Sequence, residues 1–466
     1  MAKVKKLIKK VDRGQGRWYH NMGKPQRTIF FKEHTMKRMV ALAAGLVLLI
    51  GLAWAGGGRD TQSSSATSDG PLVARGRIEV WYGGETFYDQ FQAAKANIEK
   101  KFSGTQVLIE VIPYGEMATR MMTACQSNAG PDVMHQSVSI TSGFMLQGLL
   151  EPLQGYYRRA GRNLMTEFNP DAFSIVRQGD NIYAVPNSAA VMALVYNKKL
   201  FAEAGLTRGP ENWAEVYEWA EKLTKRNPDG TVVYGIGWPG GKAAGNIWFR
   251  LLPHIWSAGG DVCDPQMKTA TMNTPAVKEA VAYYTGVLAK GIAPRSMMEL
   301  DQAGIQPMFE AGNVAMTIEN MDFPKSIQDR GIFDVGVVMW PGKNGPLKAG
   351  IGGWFACIPS SAKNKEGGAV YVTELTTPEV NSLSPPLPGS LEALKDPKWA
   401  DPYYAPFMDA LRSSAQHFPQ FENSPQAQII MLNLVQSVLA GVNTIDEAVI
   451  IANDEIQELL DIQNAK

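Results

Sequence analysis

At 466 residues the chain is too long for one ordinary core and suits two domains. Its 45 basic and 45 acidic side chains cancel and only 19% of residues are charged, so nothing points to a polyanion partner such as nucleic acid, whose binders normally show a basic face. A hydrophobic content of 45% with 45 glycines describes a loop-rich globule and excludes a disordered chain.

The chain opens with a Lys/Arg-rich stretch over 1–35, and Met36 stands directly before Lys37-Arg38, so Met36 reads as the true start. An uncharged run over 39–53 follows and ends in Ala53-Trp54-Ala55, the small-x-small pattern of a signal-peptidase site. The run is shorter than the ~20 residues of a spanning helix. Export with cleavage before Gly56 is therefore the expectation, and an uncleaved membrane tether is the alternative. Residues 56–76 read as a Gly/Ser-rich linker.

The periodicity then predicts a strand over 77–82, a helix over 87–102, a strand over 107–112 and a helix over 115–127, which is a parallel β-α-β arrangement. Gly130-Pro131-Asp132 reads as a turn feeding an apolar strand at Val133-Met134. A strand over 191–196 leads to Asn197, the expected cap of a helix. Further helices are expected over 213–226, 247–258, 275–290, 304–311, 360–375, 426–440 and 445–460, with strands over 232–236 and 350–358.

Chemistry-bearing motifs are few. Gly235-Ile236-Gly237-Trp238-Pro239-Gly240 fits G-x-G-x-x-G, but Pro239 removes an N–H and Trp238 blocks close backbone approach, so it reads as an ordinary loop. The five histidines show no ligand spacing, no nucleophile elbow is present, and Cys125, Cys263 and Cys357 are too scattered for a metal site. No cofactor, metal or catalytic activity is expected. Aromatics beside glycine are more telling, because a sugar site pairs flat rings with amides and carboxylates. Trp81-Tyr82 precede Gly83-Gly84-Glu85, Trp248 follows Gly245-Asn246, and Trp354 follows Gly352-Gly353.

In order and spacing, Gly130-Pro131-Asp132-Val133, Tyr183-Ala184-Val185-Pro186 and Tyr196-Asn197-Lys198-Lys199-Leu200-Phe201 with Ala204-Gly205-Leu206 resemble the family 1 extracellular solute-binding proteins of ABC importers, which include maltose-binding proteins. The resemblance runs from about residue 78 to 460. It implies an α/β, two-lobed, periplasmic-binding-protein-like fold of type 2 with discontinuous lobes joined by a hinge. The first lobe would comprise 77–186 and 350–393, the second 187–349 and 394–466. It also implies ligand contacts at Tyr82, Gly83, Gly84 and Glu85, at Gln136 and Ser137, and at Asn320 and Asp322, with the 235–240 loop facing the cleft. Met321-Asp322-Phe323 and Gln136 stand where aromatics are frequent in maltose-type members, so the sugar itself does not transfer. The function implied is capture of a small solute, best a sugar or oligosaccharide, by a monomer that delivers it to ABC permease subunits with their ATPase. A secreted carbohydrate-active enzyme and a sensory module for a membrane receptor are the alternatives.

Overall fold

The computed structural model describes residues 70–83, 85–413 and 416–465, the side chains of Glu85, Pro402 and Ser413 excepted. The signal segment, most of the linker and Gly84 lie outside the described residues.

Strand β1 (Arg77–Gly83) buries Ile78, Val80 and Tyr82 on one face, as the two-residue period of a strand requires. It pairs in parallel with β2 (Gln106–Ile112) on one side and β3 (Val133–Ser137) on the other. The crossovers are helices Tyr88–Lys101 and Tyr114–Gln126. Asp132, at the turn before β3, explains the Gly-Pro-Asp signal. Its carboxylate accepts from Glu79 N on β1 at 2.9 Å and from Asn364 N at 2.7 Å, which ties the strand to the start of helix Lys365–Leu375.

Further along, β4 (Ala184–Ala190) belongs to the same sheet, whereas β5 (Met192–Asn197) forms the centre of a second one with β6 (Met316–Asn320) and β7 (Val335–Met339). Only Val191 separates β4 from β5, so the chain passes between sheets within one residue. β8 (Gly352–Cys357) and the short β9 (Leu387–Pro388) return to the first sheet, whose order is β9-β4-β8-β3-β1-β2. Asn197 caps as expected: its Oδ1 accepts from Lys199 N and Leu200 N at 3.0 and 3.2 Å.

Two large apolar cores correspond to two lobes. One surrounds the first sheet with Val80, Phe91, Phe144 and Tyr371. The other is built where helices Ala244–Ser257, Pro275–Ala289, Ser424–Leu439 and Ile445–Asn464 pack together, with Leu251, Tyr284, Leu434 and Ile456 inside.

Several boundaries differ from the sequence reading, three of them for reasons the structure makes plain. The 213–226 helix stops at Leu223, because the Asn227-Pro228-Asp229-Gly230 turn folds Lys225–Arg226 back onto Val232–Val233 as a small hairpin, which also shortens the expected 232–236 strand. The 360–375 helix begins at Lys365, where Asn364 Oδ1 caps Gly367 N at 2.9 Å. The helix expected from 247 begins at Ala244, a shift that matters for the site.

Candidate functional site

A cavity of about 800 Å³ opens between the lobes at the carboxyl ends of β1 and β3, where open α/β sheets bind ligands. Small-molecule sites run from about 300 to 1,000 Å³. The first lobe contributes Phe87, Tyr114, Ser137, Gly353 and Trp354, and the second contributes Asn246, Phe249, Gln302, Gln306, Asn320 and Asp322.

Strand irregularity places the tryptophan. At Gly353 φ is +147°, and an added Cβ would fall 2.3 Å from Ser188 O, so only glycine lets β8 approach β4 this closely. The register of the pair shifts between Trp354 and Phe355. Trp354 then stacks on His135, with ring centroids 5.3 Å apart and planes 13° off parallel, while Phe87 and Tyr114 meet it edge-on. Asn187 Nδ2 lies 3.0 Å from His135 Nε2, and burial pushes the imidazole pKa down to about 3, so a neutral ring backs the tryptophan.

Tyr114 begins its helix and reaches toward the other lobe. Gly245 allows this, because a Cβ there would meet the Tyr114 hydroxyl oxygen at 2.3 Å. Burial raises the Tyr114 pKa, so the phenol stays protonated.

Helical periodicity builds the second wall. With its helix starting at Ala244, Ile247, Trp248, Leu251, Leu252 and Ile255 face the core, leaving Asn246 and Phe249 on the cleft side. In helix Gln302–Glu310, Ile305 and Phe309 turn inward while Gln302, Gln306 and Glu310 line the cavity. Behind them lies a buried polar network. Arg250, fully buried, donates to Gln302 Oε1 at 3.0 Å and Ile318 O at 2.9 Å. Gln302 and Gln306 each donate from Nε2 to Glu319 Oε2, at 2.9 and 3.0 Å. Burial pushes the Glu319 carboxyl up to about 7, against the pull of the Arg250 guanidinium. Flanked by a cation and a carboxylate, the Gln302 amide has one allowed orientation.

The residues singled out from sequence therefore separate. Ser137, Asn320, Asp322, Gly353 and Trp354 line the cavity. Trp248 does not: it is 1% exposed and packs against Phe418 and Phe421 in the second core, because the earlier helix start places it on the inner face. Trp81 lies outside the cavity under the Arg120 guanidinium, 4.8 Å from the ring centroid. Tyr82 stacks on Phe91 inside the first core, Gly83 is buried against Met117 and Trp354, and Gln136 is buried in β3 opposite Phe355. Gly84 and the Glu85 side chain lie outside the described residues. The 235–240 loop does not face the cleft either. Trp238 Nε1 donates to Tyr284 O and the Tyr284 hydroxyl to Pro239 O, so the loop is sealed into the second core. Sequence reasoning missed Tyr114, Asn246, Phe249, Gln302 and Gln306; the i, i+4 polar pair Gln302/Gln306 on an otherwise apolar helix was the available signal.

The family of bacterial extracellular solute-binding proteins matches residues 83–382. Among individual relatives, a binding protein of Brucella abortus is 25% identical over 230 residues, 49% of this chain and 53% of its own. The maltotriose-binding protein of Pyrococcus abyssi is 24% identical over 318 residues, 66% of this chain and 64% of its own. The chain thus spans about half to two thirds of the curated relatives it matches. Of solved structures, a tagatose-bound solute-binding protein of Thermotoga lettingae superposes with a TM-score of 0.74 at 23% identity, covering 83% of this chain and 100% of that one. A maltose-bound protein of T. maritima gives 0.73 at 21%, covering 82% and 99%. These two share the two-lobed fold. With the family match spanning more than half of its length, the chain belongs to the bacterial extracellular solute-binding proteins.

Proposed function

We propose that this protein is the extracytoplasmic solute-capturing component of an ABC importer: a non-catalytic monomer, exported by a cleaved signal, that takes a sugar or oligosaccharide into the interlobe cleft and delivers it to a permease pair with its ATPase. The observation that carries the reading is the cavity wall itself. Trp354 supplies a flat face for sugar C–H groups, while the amides of Asn246, Gln306 and Asn320 and the Asp322 carboxylate supply partners for hydroxyls. The sugars named for several relatives, maltotriose and diacetylchitobiose among them, support the same class.

Thermal unfolding against a panel of mono- and oligosaccharides tests the reading. A true ligand at a hundredfold excess over its dissociation constant adds about 2.7 kcal/mol. No shift with any sugar at millimolar concentration would remove the sugar class, and chromatographic detection of a hydrolysed product would favour the enzyme alternative. Ligand touching both lobes stabilises the closed state by its differential affinity. The radius of gyration from small-angle scattering is therefore expected to fall on saturation, and superimposable profiles would refute closure.

A further inference from the structure

The charge of the cleft is one-sided. Among its described lining residues stand three carboxylates, Asp301, Glu310 and Asp322, and no lysine, arginine or histidine. The three differ in how far they are already satisfied. Glu310 is held by the Arg330 guanidinium. Asp301 Oδ1 caps Gly304 N at 3.1 Å, and the positive end of helix Gln302–Glu310 offsets its charge. Asp322 has no described ion pair and no side-chain partner; only its own and the Phe323 backbone amide lie against it.

The nearest buried cation does not answer Asp322. The Arg250 guanidinium is committed to Asn246 O, Gln302 Oε1 and Ile318 O, and Glu319 faces it across the Gln302 amide. Its hydrogen bonds all go behind the wall, and the ionisable acid and base side chains that line the cavity itself are carboxylates only. Phe249 and the half-buried Trp354 also line the cavity, and aromatic rings attract ammonium groups through the ring quadrupole. From the first lobe the buried Ser137 also lines this cavity, its Oγ facing the Tyr114 hydroxyl without a hydrogen bond of good geometry.

Building on the sugar-binding reading above, we propose that the cleft takes a sugar carrying a protonated amine, with Asp322 as the carboxylate partner of the ammonium group. An anionic sugar is disfavoured, since it would bring a negative charge into a cavity with no cation to meet it. A neutral sugar is accepted more weakly, because it leaves the Asp322 charge desolvated and paired only by hydroxyls.

Isothermal titration of the full chain with probes of one frame and three charges decides this: glucosamine and chitobiose, glucose and cellobiose, and glucuronate. The amines are expected to bind about tenfold or more tighter than their hydroxyl counterparts, and glucuronate weakest. Asp322→Asn is expected to bring the amine and hydroxyl forms within about threefold of each other. Should that variant fail to fold, a salt titration of the unmodified protein serves instead, with amine affinity falling and glucose affinity unchanged as salt rises. Equal or tighter binding of the neutral sugars overturns the proposal while leaving the sugar reading intact. Binding of spermidine but of no sugar would do the reverse, removing the sugar and keeping the charge assignment. Tightest binding of glucuronate, or no binding by any probe, overturns it.

Discussion

Trp248→Ala is expected to lower the unfolding free energy by about 3–5 kcal/mol and leave ligand affinity within about twofold, whereas Trp354→Ala should do the opposite. Both are tryptophans that closely follow a glycine in the sequence, yet their surroundings differ. Trp248 is 1% exposed among Phe418, Phe421 and the second core, so truncation opens a cavity that the four surrounding helices cannot refill. Trp354 is half-buried with one face on His135 and the other side toward the cavity, so truncation removes a stacking surface at the site. A loss of about 1–3 kcal/mol in binding is the scale of an interface hot spot. Chemical denaturation and calorimetric titration on the same purified variants separate the two outcomes. If Trp354→Ala cost only stability, the aromatic platform would have no role in recognition.

Acidification is expected to erode stability from pH 6.5 downward, before surface carboxylates begin to titrate, and two buried histidines set the sign. Burial depresses both His135 and His254 to about 3 in the native state, against 6.5 unfolded. Between those values the unfolded chain takes up protons that the native state refuses. Each histidine then costs about 1.4 kcal/mol of stability per pH unit as pH falls below 6.5. Glu319 works the other way. Its native pKa is raised to about 7 from 4.5, so its contribution is largest below 4.5 and is lost as pH rises through 7. From pH 6.5 down to 4.5 the three groups therefore sum to the loss from one histidine, about 1.4 kcal/mol per unit; below 4.5 both histidines act unopposed.

His254 offers the clean variant. Both its ring nitrogens lack partners, and Trp213, Trp238, Tyr283, Tyr284 and Trp340 surround it. Phenylalanine suits such a box and strands no donor, so His254→Phe should gain about 1–3 kcal/mol at pH 7. It should also flatten the stability profile between pH 6.5 and 4.5. Urea midpoints at these pH values are the measurement, and an unchanged slope in the variant would show that the imidazole is not the group responsible.

How far the sequence could be read depended on whether a segment carried a period. Helix Trp213–Leu223 and strand β1 alternate polar and apolar residues at 3.6 and 2.0, and both were legible. Helix Val138–Leu146 was not: eight of its nine residues are buried, so every position tolerates an apolar or small side chain and no face is marked. Strand β7 escaped because its burial does not alternate along the strand, and β9 because two residues cannot display a period. At the site, strand-end residues such as Ser137 and Gly353 could be found because β ends point at ligands in this class of sheet. Trp248 misled because Gly245 suggested a loop. The glycine instead sits inside the first helical turn, to clear Tyr114 from the other lobe, a contact that no local pattern encodes.

The order β9-β4-β8-β3-β1-β2 has a consequence for how the chain comes to be folded. β8 occupies an interior position between β3 and β4, yet it does not begin until Gly352, after most of the second lobe has been threaded through. An amino-terminal fragment therefore cannot zip up the first sheet: β3 and β4 have no partner to join them until the late strand arrives. Pairings this distant along the chain fold slowly, because the loop must close before any contact rewards it. The native sheet of the first lobe thus locks only after residues beyond Gly352 have been made, and until then the halves on either side of that strand stay free to move against each other.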